Sequence, residues 1–307
     1  MGKTTMTLKE AFEEFILSKR LSGIGENTIT NYKATISLML QELGWNLPVQ
    51  EVTFELVSGY ILNLLKRPLS RATISSYIRN DRIFLRWVSN EFGLPFDPAK
   101  IKVPKSPKKN VHIYTDSEIA VLFSAVKTSI PWITARNIVL LALMLDSGLR
   151  QFEVCSLLKV NIDKERHIIR VTGKGAKDRM VPVGDTSLAL LDTYLSICPY
   201  DGPYIFYGRC GQRLSGNAIR LFIYRLEKKL PFSLSSHKLR HNFATNFCID
   251  HIHNYGRSDV YDLSIIMGHE SIETTKRYEH FAHEMIAAQT RISHLDLCLG
   301  KGKKSDT

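Results

Sequence analysis

The stretch SSHKLRHNFATN, Ser235 to Asn246, crowds His237, Lys238, Arg240 and His241 into five positions. His237, Arg240 and His241 stand at i, i+3 and i+4, so on a helix they share one face. Leu239, Phe243 and Phe247 recur every four residues and form a separate apolar stripe. Ser235 or Ser236 is placed to cap that helix. A cluster of this charge repels itself unless an anion sits against it. The HxxxH pair lacks the glutamate of HExxH, and Arg240 would set a fixed positive charge beside an ion, so no metal site is expected. The plain alternative is that the histidines only cap backbone groups.

Three other stretches carry reactive residues. In LDSGLRQFEVCSLL, Gly148 precedes Arg150 at the junction of two expected helices. A guanidinium there offers a bidentate fork to a phosphate, and Glu153, three residues on, is placed to hold a neighbouring side chain. VTGKGAKDRM sets Lys174 between two glycines at a hairpin tip, with the reach that a proton donor to a leaving oxygen needs. It is not a P-loop, because GxxxxGK[ST] is absent. IIMGHESIETTKRYEHF carries His269 after a glycine and Tyr278 near the end of a short expected helix.

These residues span more than a hundred positions, so the elements between them must fold back on one another. The chain has 307 residues, 44% of them hydrophobic, and a formal net charge of +11. That length predicts about two domains. Cutting after Asn110 leaves 16 basic and 10 acidic residues before the cut and 25 and 20 after it, so both halves are basic. A polyanion touching both halves is the simplest partner. Five scattered cysteines (Cys155, Cys198, Cys210, Cys248, Cys298), no CxxC pair and no signal peptide predict reduced thiols in the cytoplasm. The longest apolar run, IVLLALMLDSG, is too short to span a bilayer.

The first hundred residues predict four amphipathic helices: TLKEAFEEFILSKRL, ENTITNYKATISLMLQEL capped by Asn27 or Thr28, TFELVSGYILNLLKR, and SRATISSYIRNDRIFLRWVSNEFG. In the last, Ile74, Ile78, Leu85 and Val88 face a core, while Arg79, Arg82 and Arg86, with Arg71 upstream, form a basic stripe. That stripe is either a DNA contact or a solvated face. IKVPKSPKKNVHIY follows, with four lysines, two prolines and no acid between Ile101 and Asn110. It predicts an extended tether whose Lys105, Lys108 and Lys109 suit a phosphate backbone. Downstream, SEIAVLFSAVKTS, ITARNIVLLALMLDSG and RQFEVCSLLKVNID read as helices, and HIIRVTGKGAKDRMVPV as a β-hairpin. Further helices are expected over 186–195 and 216–230. IDHIHNYGRSD reads as a polar loop, and the tail GKGKKSDT as disordered. The fold class is mainly α with two domains: an all-α four-helix domain over 1–102, a basic linker over 103–112, and an α+β domain over 113–307 with a small antiparallel sheet or hairpin.

In order, GLR, the GKG hairpin, HKLRH, GH and KRY resemble the tyrosine recombinase (integrase) family, and five spaced elements in sequence are far more specific than any one alone. The resemblance covers nearly the whole chain, since the four-helix segment is similar to that family's core DNA-binding domain. It implies that Arg150 is the first catalytic arginine, Lys174 the hairpin lysine, His237 and Arg240 the HxxR pair, His269 the second histidine and Tyr278 the nucleophile. Glu153 matches the supporting acid, and His241 stands behind the site. The segment around 250–260 is a few residues longer than in compact relatives. No additional amino-terminal module is evident, which favours an Xer-like architecture.

The implied chemistry suits these residue types. A phosphodiester attacked in line spreads charge over its non-bridging oxygens, where two arginines and a histidine hold it by preorganised hydrogen bonds. Tyr278 supplies the nucleophilic oxygen and forms a covalent phosphotyrosine. A phenol with a pKa near 10 needs a base, for which His237 is the candidate, and Lys174 protonates the departing 5′ oxygen. The covalent link conserves the bond energy, so no metal or nucleotide cofactor is required. The resemblance further implies double-stranded DNA as partner, a tetramer on two DNA sites, accessory proteins in some settings, and no membrane. EMIAAQTRISHLDLCLG, with Ile286, Ile292, Leu295 and Leu297, docks on a neighbouring protomer or on its own domain. Two other readings use the same residues. A type IB topoisomerase-like enzyme would relax DNA without exchange, and the amino-terminal helices and short chain argue against it. An accessory DNA-binding protein without chemistry is opposed by the intact constellation.

Overall fold

Thr7 opens the first helix with a capping box: its hydroxyl accepts from the Glu10 amide at 3.3 Å while the Glu10 carboxylate accepts from the Thr7 amide at 2.9 Å. The computed structural model describes residues 6–105, 112–173 and 178–289, in two compact units, Met1–Lys109 and Asn110–Thr307.

The amino-terminal unit holds α1 (Leu8–Leu21), α2 (Glu26–Leu43), α3 (Phe54–Lys66) and α4 (Arg71–Phe92), the four helices read from periodicity. The cap of α2 is Gly25, so Asn27 and Thr28 lie inside the helix. The apolar stripes meet in one core, where Phe15 packs edge-on to Phe84 and Trp87 with ring centroids 5.4 and 5.6 Å apart. Ile74, Ile78, Leu85 and Val88 are buried in it as expected. The core also takes a polar pair: Asp81 is buried and accepts from the Tyr60 hydroxyl at 3.2 Å.

The second unit begins with α5 (Asp116–Ser124), α6 (Pro131–Asp146) and α7 (Gln151–Ser156). The expected long helix over 150–163 ends after Ser156. Leu157 and Lys159 instead exchange backbone hydrogen bonds with Ile205 and Pro203, and Ile162–Asp163 forms β1. The long-range pairing overrides local helical propensity. β2 (Ile168–Thr172) and β3 (Asp178–Pro182) are the expected hairpin strands, and the antiparallel sheet runs β1-β2-β3 with Ile169 opposite Val181 and Thr172 opposite Asp178. Ile169, Val171 and Val181 turn inward onto the core under α6, α8 (Asp185–Ile197) and α9 (Gly216–Glu227).

The remaining helices are α10 (Ser236–Tyr255), α11 (Val260–Met267) and α12 (Glu273–Gln289). Ser235 caps α10, its hydroxyl accepting from the Lys238 amide. α10 continues through most of the stretch read as loop. Ile249 and Ile252 pack on a small core, Phe247 stacks on His251 at 4.3 Å, and only Gly256, in the left-handed region, stops the helix. Tyr278 lies in the second turn of a 17-residue helix, not near the end of a short one. The tail over 300–307 and Ile292, Leu295 and Leu297 lie outside the described residues. Among the described residues no helix is long and apolar enough to cross a membrane.

Candidate active site

Glu153 organises one wall of the site. As the third residue of α7 it turns back to accept from the Arg150 backbone amide at 2.7 Å, closing the helix start. Its two oxygens also receive the Arg179 guanidinium, Nη1 at 2.7 Å and Nη2 at 2.9 Å, and Arg150 Nη1 at 3.1 Å. Glu153 is 1% exposed. Burial opposes its charge, but the Arg179 and Arg150 contacts win and hold its carboxyl below the usual range.

The other wall is the end of α11. Its final carbonyls have no helical partner, and three in succession accept from three different arginines. Ile266 takes Arg179 Nε at 2.7 Å, Met267 takes Arg240 Nη2, and Gly268 takes Arg150 Nη2 at 2.9 Å. Cations at a helix carboxy terminus also complement its dipole. Gly268 has φ +59° with Arg179 Cδ 3.1 Å from where a Cβ would stand, so this corner requires glycine. The second Arg240 bond goes to the Gly148 carbonyl. Gly148 has φ +60°, and a Cβ there would lie 2.3 Å from the Phe243 ring.

Arg240 is therefore 5% exposed and hydrogen-bonded to two carbonyls, and among the described residues no carboxylate pairs with it directly. Burial first, then the Arg150 charge, pull its pKa down to about 9. Arg150 and Arg179 thus share one carboxylate and Arg240 pairs with none among the described residues, an arrangement that favours an incoming anion. An open cleft of about 730 Å³ lies against Arg150 and Arg179 and is lined also by Gly173 and His269, among others.

Tyr278 completes the site. It is 1% exposed, and its hydroxyl meets His241 Nδ1 at 2.6 Å and Arg277 Nη2 at 2.9 Å. The His269 ring lies nearly parallel to the phenol at 6.3 Å, and its Nδ1 bonds the Thr275 hydroxyl at 2.8 Å. Burial, reinforced by neighbouring arginines, brings both His241 and His269 down to about 4, so both are neutral at pH 7.

Comparison with known proteins fits this geometry. The model of the phage integrase family matches residues 113–285, more than half of the chain. The chain belongs to the phage integrase family. It is 28% identical over 278 residues to the tyrosine recombinase XerD of Vibrio cholerae serotype O1, covering 86% of this chain and 89% of that protein. Its fold is similar to that of the Tn1549 transposon integrase in complex with a circular intermediate DNA (TM-score 0.73, 18% identity, 89% of this chain and 95% of that one). It is also similar to the lambda integrase tetramer bound to a Holliday junction (TM-score 0.69, 18% identity, 87% and 78%). As a member of this family the chain is a tyrosine site-specific recombinase.

Of the integrase residues expected from sequence, Arg150, Glu153, Arg240, His241, His269 and Tyr278 converge here. His237 lies one turn before His241 on α10, with its side chain exposed. Lys174 is outside the described residues, although Gly173 before it lines the cleft. In the amino-terminal unit, Arg71, Arg79, Arg86 and Lys105 are exposed, whereas Arg82 is half-buried and donates to the Ile101 carbonyl at 3.3 Å. Lys108 and Lys109 lie outside the described residues. Sequence reasoning missed two arginines. Arg179 shares its strand face with inward-facing Val181, two residues on, and a charge on an inner face was the available signal. Arg277 stands beside the tyrosine in KRY, and only the fold shows that its guanidinium turns back onto the phenol.

Proposed function

We propose that this integrase cuts one DNA strand at a time through a covalent 3′-phosphotyrosine at Tyr278 and rejoins it to a partner strand. The observation that carries this reading is the buried, carboxylate-free Arg240 beside Arg150 in the unit that holds the Tyr278 hydroxyl. Arg150 and Arg240 hold the non-bridging oxygens of the scissile phosphate, with exposed His237 and neutral His269 completing the donors. Tyr278 Oη bonds to phosphorus, the bond from phosphorus to the 5′ oxygen breaks, and Lys174 supplies a proton to that oxygen. Reversal with a different 5′ hydroxyl completes the exchange.

The amino-terminal unit, about 1–102, serves as the core DNA-binding domain. Arg71, Arg79 and Arg86 of α4, with Arg82, Lys105, Lys108 and Lys109, supply phosphate contacts there. The working form is a tetramer on two DNA sites, because exchange cuts both strands of two duplexes and each protomer supplies one nucleophilic tyrosine, Tyr278. The lambda integrase tetramer bound to a Holliday junction, which has a similar fold, favours this assembly. Integration, excision, transposition and resolution all use this chemistry.

The test is a pair of plasmid assays on a duplex site selected from a random pool. Exchange between two sites that vanishes in Tyr278→Phe, with DNA binding retained, supports the reading. Relaxation of a single-site plasmid with no two-site exchange points to a topoisomerase, and activity surviving in Tyr278→Phe overturns it.

A further inference from the structure

We infer that Arg277 and His241 are the activating pair of the nucleophile, with His241 Nδ1 as the atom that takes the Tyr278 proton. This rests on the reading of Tyr278 as nucleophile and assigns the base that reading leaves open.

The hydrogen-bond roles follow from chemistry. A guanidinium has donors only. Arg277 Nη2 donates to Tyr278 Oη at 2.9 Å and also faces His241 Nδ1 at 3.4 Å. A ring nitrogen facing a guanidinium N–H and a phenol must present its lone pair, so the ring proton sits on Nε2. The Tyr278 hydroxyl, already accepting from Arg277, then donates its O–H to Nδ1 at 2.6 Å. Arg277 also spreads over the ring, its Cζ 4.9 Å from the centroid. Charge growing on Oη as the proton leaves meets a cation already in place.

The groups facing His241 are Tyr278 and Arg277 from α12, His269 from the corner between α11 and α12, and His237 and Arg240 from its own helix. With burial these keep its imidazole neutral and its Nδ1 lone pair open to the phenol; they also weaken it as a base, so the proton moves as Oη bonds to phosphorus and Arg277 holds the remaining charge. The step balances. Tyr278 O–H gives its proton to Nδ1, Oη bonds to phosphorus, and the 5′ oxygen leaves with a proton from the hairpin lysine. On rejoining, the phenolate departs and recovers its proton from His241, while Arg277 stabilises it as a leaving group. His237, one turn away and exposed, remains free to donate to the phosphate.

The experiment measures single-turnover cleavage of a nicked duplex, selected from a random-sequence pool, by the full chain across pH 6 to 9. The variants are His241→Asn, His237→Gln, Arg277→Lys and Arg277→Gln. Asparagine keeps an acceptor near the Nδ1 position but cannot take the proton, and melting curves with DNA binding confirm folding. The expected result for His241→Asn is a fall of about a hundredfold or more, unchanged DNA affinity, and a rate rising about tenfold per pH unit where the wild type is flat. Arg277→Gln falls, and Arg277→Lys recovers part of the loss. Cleavage by His241→Asn or Arg277→Gln at or above the wild-type rate overturns the inference and makes the pair a latch on a buried tyrosine. The hydroxide-dependent profile appearing in His237→Gln instead moves the base to His237. Tyr278→Phe is the separate control: an adduct there defeats the nucleophile assignment itself.

Discussion

Replacing Glu153 by glutamine tests how the arginines are held. Each carboxylate oxygen serves two donors: Oε1 takes Arg150 Nη1 and Arg179 Nη1, Oε2 takes the Arg150 amide and Arg179 Nη2. A glutamine turned either way places its NH₂ against two of these donors, so two of four bonds are lost and two guanidiniums lose the one carboxylate that pairs with them among the described residues. Removing one partner of a buried ion pair costs about 3–5 kcal/mol. For a unit of this size each kcal/mol moves the melting temperature by about 2–4 °C. Calorimetry should therefore show the transition of the Asn110–Thr307 unit falling by about 6–20 °C. Glu153→Gln combined with Arg179→Met should be more stable than Glu153→Gln alone, since removing both members of a buried pair costs far less than removing one. A Glu153→Gln protein melting within about 2 °C of wild type, or a double variant less stable than the single, would falsify the claim that this carboxylate gathers the arginines.

Gly148→Ala combines a left-handed backbone with a methyl driven into the Phe243 ring. It should cost about 2–4 kcal/mol in urea unfolding and also slow cleavage, because the Gly148 carbonyl holds Arg240; an unchanged midpoint contradicts this. Stability should decline with acid. Burial and the neighbouring arginines bring His241 and His269 from the usual 6.5 down to about 4 in the folded chain, so the unfolded chain binds more protons between those values. Their contribution is complete above about pH 6.5 and is lost as pH falls towards 4. Urea midpoints at pH 7 and 5 should differ, and less so in His241→Asn; equal midpoints would show that these rings are not shielded. Neutralising exposed Arg79 or Arg86 should flatten the dependence of log K on log salt by about one unit, and an unchanged slope returns them to solvent.

The four amino-terminal helices were legible because apolar residues recur at helical spacing over long windows, and the hairpin because Val and Ile flank a glycine turn. The break after α7 was not, since Leu157–Ile162 is apolar enough to pass for helix, while Leu157 and Lys159 bond to Ile205 and Pro203, more than forty residues away, and β1 pairs with β2. The end of α10 was misread because histidine and asparagine suggest a loop, while the stacking of Phe247, His251 and Tyr255 that supports the helix is visible only once it forms. Within the site, residue types and order announced Arg150, His237, Arg240, His269 and Tyr278. Their supports were hidden for a physical reason. The carbonyls of Ile266, Met267 and Gly268 carry no side-chain signature, and their role exists only where α11 ends against the arginines. His241 looked subsidiary in sequence because nothing in the order of residues says that the phenol approaches it from α12.

The most direct measurement is covalent trapping on a nicked duplex, followed by peptide mapping of the adduct. The account predicts one DNA-linked peptide, carrying the 3′ phosphate on Tyr278, absent in Tyr278→Phe and scarce in Arg240→Ala. A DNA link on any other residue, or an adduct that persists without Tyr278, contradicts it.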